Sequence, residues 1–144
     1  MTSVVGATAK SSSGTLYIVW LVAIAATLGA LFVGEVMGQA PCTLCWYQRI
    51  AMFPLAVLLG IASYRGDYAS WRYTLPIAAL GWLIAGFHLL LYYGLIPEGI
   101  EPCGAGPSCS DASMLLFDVP LPLMSLAAFS LIIVALVPLV RSTK

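Results

Sequence analysis

Four apolar stretches of helical length dominate this chain, and they leave few folds open to it. They run from Thr15 to Met37, Thr43 to Ser63, Thr74 to Leu95 and Val119 to Val140. At about 1.5 Å per residue, segments of about 21–23 residues reach roughly 32–34 Å, enough to cross a hydrocarbon layer of about 30 Å. Backbone groups in lipid must be paired internally, so such segments span as helices. The expectation is an all-α integral membrane protein, a four-transmembrane-helix bundle over residues 15–140 embedded in a lipid bilayer. The charge content agrees. Only 8% of the 144 residues are Asp, Glu, Lys or Arg, against about 25% in soluble domains. The net charge is zero, which offers no basic surface to nucleic acid.

Residues 1–14 are short and Ser-rich and read as a disordered tail; residues 141–144 form a second tail. Lys10 before an apolar run resembles the start of a secretory signal, with Gly38-Gln39-Ala40 as a cleavage site. The run is longer than the apolar region of about 7–15 residues in such signals, and Pro41 would follow the cut. The segment therefore reads as a retained helix. Pro41, Pro76 and Pro120 are expected at or near helix starts, where a missing N–H costs little. Pro54 lies inside the second segment and predicts a kink.

Lys and Arg set the orientation. Lys10, Arg65, Arg72, Arg141 and Lys144 all fall on one side of a four-span arrangement. The two loops on the other side, Gly38–Cys42 and Ile96–Asp118, contain no Lys or Arg, and the longer one carries Glu98, Glu101, Asp111 and Asp118. Both termini should then be cytoplasmic, in a cell membrane, with the other two loops facing outward. All four cysteines lie on that outer side, as two pairs, where oxidising conditions permit disulfides.

Cys42-Thr43-Leu44-Cys45 is a C-x-x-C at the mouth of the second helix. With Pro41 at the first helical position, both sulfurs lie near unpaired N–H groups and the positive end of the helix dipole. That setting favours thiolate and lowers a cysteine pKa. Arg49 follows Cys45 by four residues and shares its helix face; Gln48 borders the same face. Two readings of Arg49 stand here: a side chain that snorkels to the interface, or a guanidinium that stabilises a sulfur anion or a reduced acceptor.

The pair Cys103 and Cys109 lies in a Gly- and Pro-containing loop. It reads as a structural staple or a mobile redox pair, and zinc held by all four cysteines is the less favoured alternative. No metal is expected. Met114–Phe117 is either an apolar patch at the interface or an early start of the last span. His88, the single histidine, falls within the third span. It either bonds to a neighbouring helix as a neutral ring or lines a functional pathway. Tyr and Trp near the segment ends fit an aromatic belt.

The stretch Cys42-Thr-Leu44-Cys45-Trp-Tyr-Gln48-Arg49 resembles the C-x-L-C-x-x-Q-R segment of the disulfide bond formation protein B (DsbB) family, including its shorter BdbC-type thiol–disulfide oxidoreductases. The likeness extends over nearly the whole chain, through helix number, orientation and the placing of both cysteine pairs. The vitamin K epoxide reductase group is similar too, but carries its C-x-x-C later. The DsbB resemblance implies an enzyme that re-oxidises an extracytoplasmic thioredoxin-like thiol oxidase (DsbA/BdbD-like) and passes electrons to a membrane quinone, ubiquinone or menaquinone. It implies that Cys103 and Cys109 accept electrons from the partner, Cys103 forming the mixed disulfide. Cys109 would then exchange with Cys42, and Cys45 would face the quinone. Arg49, with Gln48 and His88, matches the family's quinone-side residues. The short spacing between Cys103 and Cys109 limits the travel of Cys109. A non-catalytic tetraspan protein with two structural disulfides is the alternative, and it has no need of an arginine one turn below Cys45.

Overall fold

The structure is a computed structural model that describes residues 2–100, 106–109 and 115–142. Four helices carry it: α1 (Thr2–Leu31), α2 (Thr43–Arg65), α3 (Trp71–Tyr92) and α4 (Leu121–Ser142). Each is long and apolar enough to cross a membrane, over Ser13–Val36, Thr43–Arg65, Tyr68–Tyr92 and Leu121–Arg141. The four-span, all-α expectation therefore holds. The principal helix contacts are α1 with α2, α2 with α3, α3 with α4, and α4 back onto α1, so the bundle closes in chain order.

Several boundaries differ from the expected ones. The described chain is helical from Thr2, so residues 2–14 extend α1 rather than form a disordered tail; no proline interrupts the sequence before Pro41. Helix α2 passes through Pro54 and ends at Arg65. Gly66 stops it in the left-handed region (φ +66°), with its N–H on the Ala62 carbonyl, the usual helix stop that glycine makes without strain. A short 3₁₀ turn, Tyr68–Ser70, leads into α3. The Asp67 carboxylate accepts from the Ala69 N–H (3.1 Å) and from the Tyr73 hydroxyl (2.9 Å). With the turn supported this way, α3 starts at Trp71 and Pro76 lies inside the helix rather than at its start.

Pro120 also departs from its expected place. Leu115–Leu116 (β1) and Val119–Pro120 (β2) pair antiparallel, and α4 starts only at Leu121. Phe117 and Asp118 make the turn with φ +52° and +62°, the doubly left-handed geometry of two-residue hairpins. Leu115–Phe117 is thus part of a hairpin, not an early turn of the last span.

One main core runs along the bundle. Leu16, Val19 and Ala23 from α1 meet Leu55 and Leu59 from α2, Ala78 and Ala85 from α3, and Phe129, Ile132, Leu136 and Leu139 from α4. The α4 residues recur at three- and four-residue steps, the period of one helix face. Small residues admit the large ones, as helix contacts in lipid require. A Cβ on Gly81 would overlap the Phe129 ring, and one on Gly60 would come within 2.8 Å of Trp20 Nε1. A smaller second cluster of Cys42, Leu44, Leu91 and Cys109 lies at the other end of α2.

Candidate functional site

The site begins with the way α2 starts. Cys42 is extended (φ −70°, ψ 170°) and is the N-cap rather than a residue of the first turn. Its Sγ accepts the Cys45 N–H at 3.3 Å, the place a Ser or Asp oxygen usually takes. Pro41 therefore precedes the cap instead of occupying the first helical position. The cap geometry brings the two sulfurs to 2.9 Å, with the Cys42 thiol donating to Cys45 Sγ. That hydrogen bond, together with burial, pushes the Cys42 thiol above its ordinary range, so Cys42 keeps its proton at neutral pH. At Cys42 the helix end therefore does not lower the pKa: the dipole is outweighed by a neighbouring sulfur and the loss of water. Cys42 is fully buried, Cys45 half-buried, and both are free thiols.

One turn on, Gln48 and Arg49 are both buried. The Arg49 guanidinium does not snorkel to solvent. Its Nη2 donates to the Ala30 carbonyl of α1 at 2.7 Å, and it lies over the Trp46 ring at 5.5 Å. Two local features of α1 make room for it. The helix widens to a π-helical turn over Phe32–Val36, a departure often found at functional sites. Within that turn Gly34 leaves open space: a Cβ there would come within 2.8 Å of Arg49 Nη2. Neither Ala30 nor Gly34 was marked by the sequence. The one available signal was the acidic Glu35 beside Gly34 within an apolar span.

His88, from α3, is completely buried and bonds to a neighbouring helix. Its Nδ1 lies 2.9 Å from Gln48 Nε2, and its Nε2 lies 3.1 Å from the Cys109 carbonyl and 3.7 Å from Cys42 Sγ. Six of the seven site residues expected from sequence thus gather at one end of the bundle: Cys42, Cys45, Gln48, Arg49, His88 and Cys109. Cys103 lies outside the described residues. Cys109 is buried and disulfide-bonded, which takes its sulfur out of any four-cysteine zinc set. Among the described residues, Cys42, Cys45 and His88 bring two sulfurs and a ring nitrogen within 4.8 Å of one another.

Cys45, Gln48, Arg49 and His88 also line a cavity of about 670 Å³. Its other walls are almost wholly apolar: Val22 to Val33 on one face of α1, Met52 and Phe53 below Arg49, and residues from Leu116 to Leu131 on the α4 side. The volume is that of a small-molecule site, with few polar groups set at one end of an apolar slot.

The comparisons with known proteins come from sequence. The family model described as "Disulfide bond formation protein DsbB" matches residues 12–139. A "Probable disulfide formation protein" of Metapseudomonas resinovorans is 57% identical over 130 residues, 89% of this chain and 90% of the relative. The "Disulfide bond formation protein C" of Bacillus subtilis is 42% identical over 83% of this chain and 87% of its own length. A "Probable disulfide formation protein" of Deinococcus radiodurans is 43% identical, covering 84% and 85%. No solved structure matches.

Proposed function

The chain belongs to the DsbB family of disulfide bond formation proteins, and from that premise we propose that it re-oxidises an extracytoplasmic thioredoxin-like thiol oxidase and delivers the electrons to a membrane quinone. Membership makes it a multi-pass membrane oxidoreductase that generates disulfides. The finer reading concerns the source and the destination of the electrons.

The observation that supports the destination is the cavity. Cys45 opens onto it, Gln48, Arg49 and His88 stand beside that sulfur, and the remaining wall is hydrocarbon. A head group with carbonyl oxygens on a greasy tail fits that division of chemistry. When bound, a quinone supplies an acceptor for two electrons and two protons. The chain's own part is to hold a sulfur at the polar end, keep water out with α1 and α4 side chains, and place a fixed cation near the reacting sulfur. Arg49 is suited to this because its guanidinium is already anchored on Ala30 and need not reorganise.

The source follows from exchange chemistry. A partner thiolate attacks Cys103 in the Cys103–Cys109 disulfide; the mixed disulfide resolves, leaving the partner oxidised and both cysteines as thiols. The Cys109 thiolate then attacks Cys42 in the Cys42–Cys45 disulfide. A Cys109–Cys42 bond forms, and Cys45 leaves as thiolate. Attack by Cys103 on Cys109 restores the outer disulfide and frees Cys42. Two electrons now reside on the helix-mounted pair, and no atom is lost. Because Cys42 and Cys109 already pack in one buried cluster, the short loop does not have to carry Cys109 across a gap. In this reading the cysteine end faces outward, opposite Arg65, Arg72 and Arg141.

Purified protein mixed with the reduced partner and defined ubiquinone or menaquinone tests the proposal by absorbance. One quinone should disappear per partner disulfide formed, and Cys45→Ser should stop it. Indifference to every quinone offered, with the partner still oxidised, would remove the quinone from the reading.

A further inference from the structure

His88 has no free ring nitrogen for a ligand. The Cys109 carbonyl can only accept, so the proton it receives must sit on Nε2, at 3.1 Å. Nδ1 is then an acceptor, filled by the Gln48 side-chain amide at 2.9 Å. With both nitrogens engaged in a fully buried ring, the histidine ties α2 through Gln48 to the backbone of the loop that carries Cys109. The same Nε2 lies 3.7 Å from Cys42 Sγ. The loop just before Cys109 is Gly106-Pro107-Ser108, whose glycine and proline favour turns over regular structure.

We propose that His88 is a positioning residue that latches the Cys109 backbone beside Cys42, setting the reach of one sulfur to the other for inter-loop exchange. This rests on the exchange route above, but not on the quinone. The latch holds the carbonyl of the attacking residue, so the sulfur keeps its freedom to rotate while its Cα is fixed. Cys109 is thereby confined to positions in which it and Cys42 share one buried cluster, which raises their effective concentration. Gln48 serves the latch by fixing the tautomer, as an outer partner does for a ligating histidine.

The test measures that effective concentration directly. In full-length protein carrying Cys45→Ser and Cys103→Ser, only Cys42 and Cys109 remain to pair. Equilibration against graded reduced and oxidised glutathione, read by mass spectrometry, yields the fraction bridged. Adding His88→Leu should lower the effective concentration about tenfold, the effect of one buried hydrogen bond. His88→Gln, whose amide can still donate to the Cys109 carbonyl, should regain most of it. An unchanged value in His88→Leu overturns the latch. So does an equal loss in both variants with a lowered melting temperature, which marks a role in packing alone. If the parent itself fails to bridge, the exchange route falls first. Since neither quinone nor partner is present, failure of the quinone reading leaves this result untouched.

Discussion

The two ends of α2 are built differently. Toward Arg65 its buried face consists of Leu55, Ala56, Leu59 and Ala62, in one core with Ile132, Leu136 and Leu139 of α4. Toward Cys42 the buried polar groups are a sulfur, an amide, a guanidinium and, across from them, an imidazole, with the half-buried Cys45 beside them. One end is closed by a glycine stop and a short turn; the other borders a cavity of about 670 Å³. Packing holds the first end, and directional polar bonds hold the second. Dispersion contacts are additive and forgiving of exchange between similar side chains. Hydrogen bonds at a buried site are satisfied or costly, with little between. Damage at the two ends should therefore show itself in different measurements.

The largest separation is expected from Cys45→Ser. Turnover with partner and quinone should fall at least about a thousandfold, because a hydroxyl is not a disulfide-forming nucleophile, while the detergent melting temperature stays near that of the parent. A large drop in melting would show that the cysteine end also carries the fold. Arg49→Ala comes next. Loss of a fixed cation and of its bond to Ala30 should reduce quinone turnover about a hundredfold, with partner binding retained; equal loss in both assays would deny the residue its place at the cavity. Gly34→Ala sharpens the same point from α1. The new methyl must displace the end of the Arg49 side chain, so quinone turnover should drop about tenfold, in the direction of Arg49→Ala but short of it. Leu136→Ala probes the opposite end. Emptying its fully buried place in the main core should destabilise the bundle by about 2–4 kcal/mol, seen as a lower melting temperature, with turnover per folded molecule nearly unchanged. A loss of turnover without loss of stability would mean that the ends are coupled.

How far the sequence reveals these features depends on how local their causes are. The helices follow from hydropathy along the chain, a property of each segment by itself. Cys42, Cys45, Gln48 and Arg49 are legible because three- and four-residue steps on one helix fix their neighbourhood. The bonds of His88 are not: Gln48 is 40 positions away and the Cys109 carbonyl 21, and no local pattern announces a backbone partner. The π-helical turn at Phe32–Val36 and the place of Gly34 were hidden for the same reason, since they answer to a side chain on another helix. The starts of α3 and α4 were misplaced where proline was read as a helix opener. At Tyr68–Ser70 an aspartate-capped turn set the start instead, and at Leu115–Pro120 a hairpin did.

The atom that closes the end of α2 is Cys42 Sγ, through the Cys45 N–H, and by our proposal that atom alternates between thiol and disulfide. A sulfur bonded to carbon and to a second sulfur is a poorer acceptor and must turn toward its new partner. Each catalytic cycle thus loosens and refastens the first turn of a membrane helix. The Cys45 amide should consequently exchange its hydrogen with solvent faster when the pair is oxidised, turning one backbone position into an internal gauge of electron load.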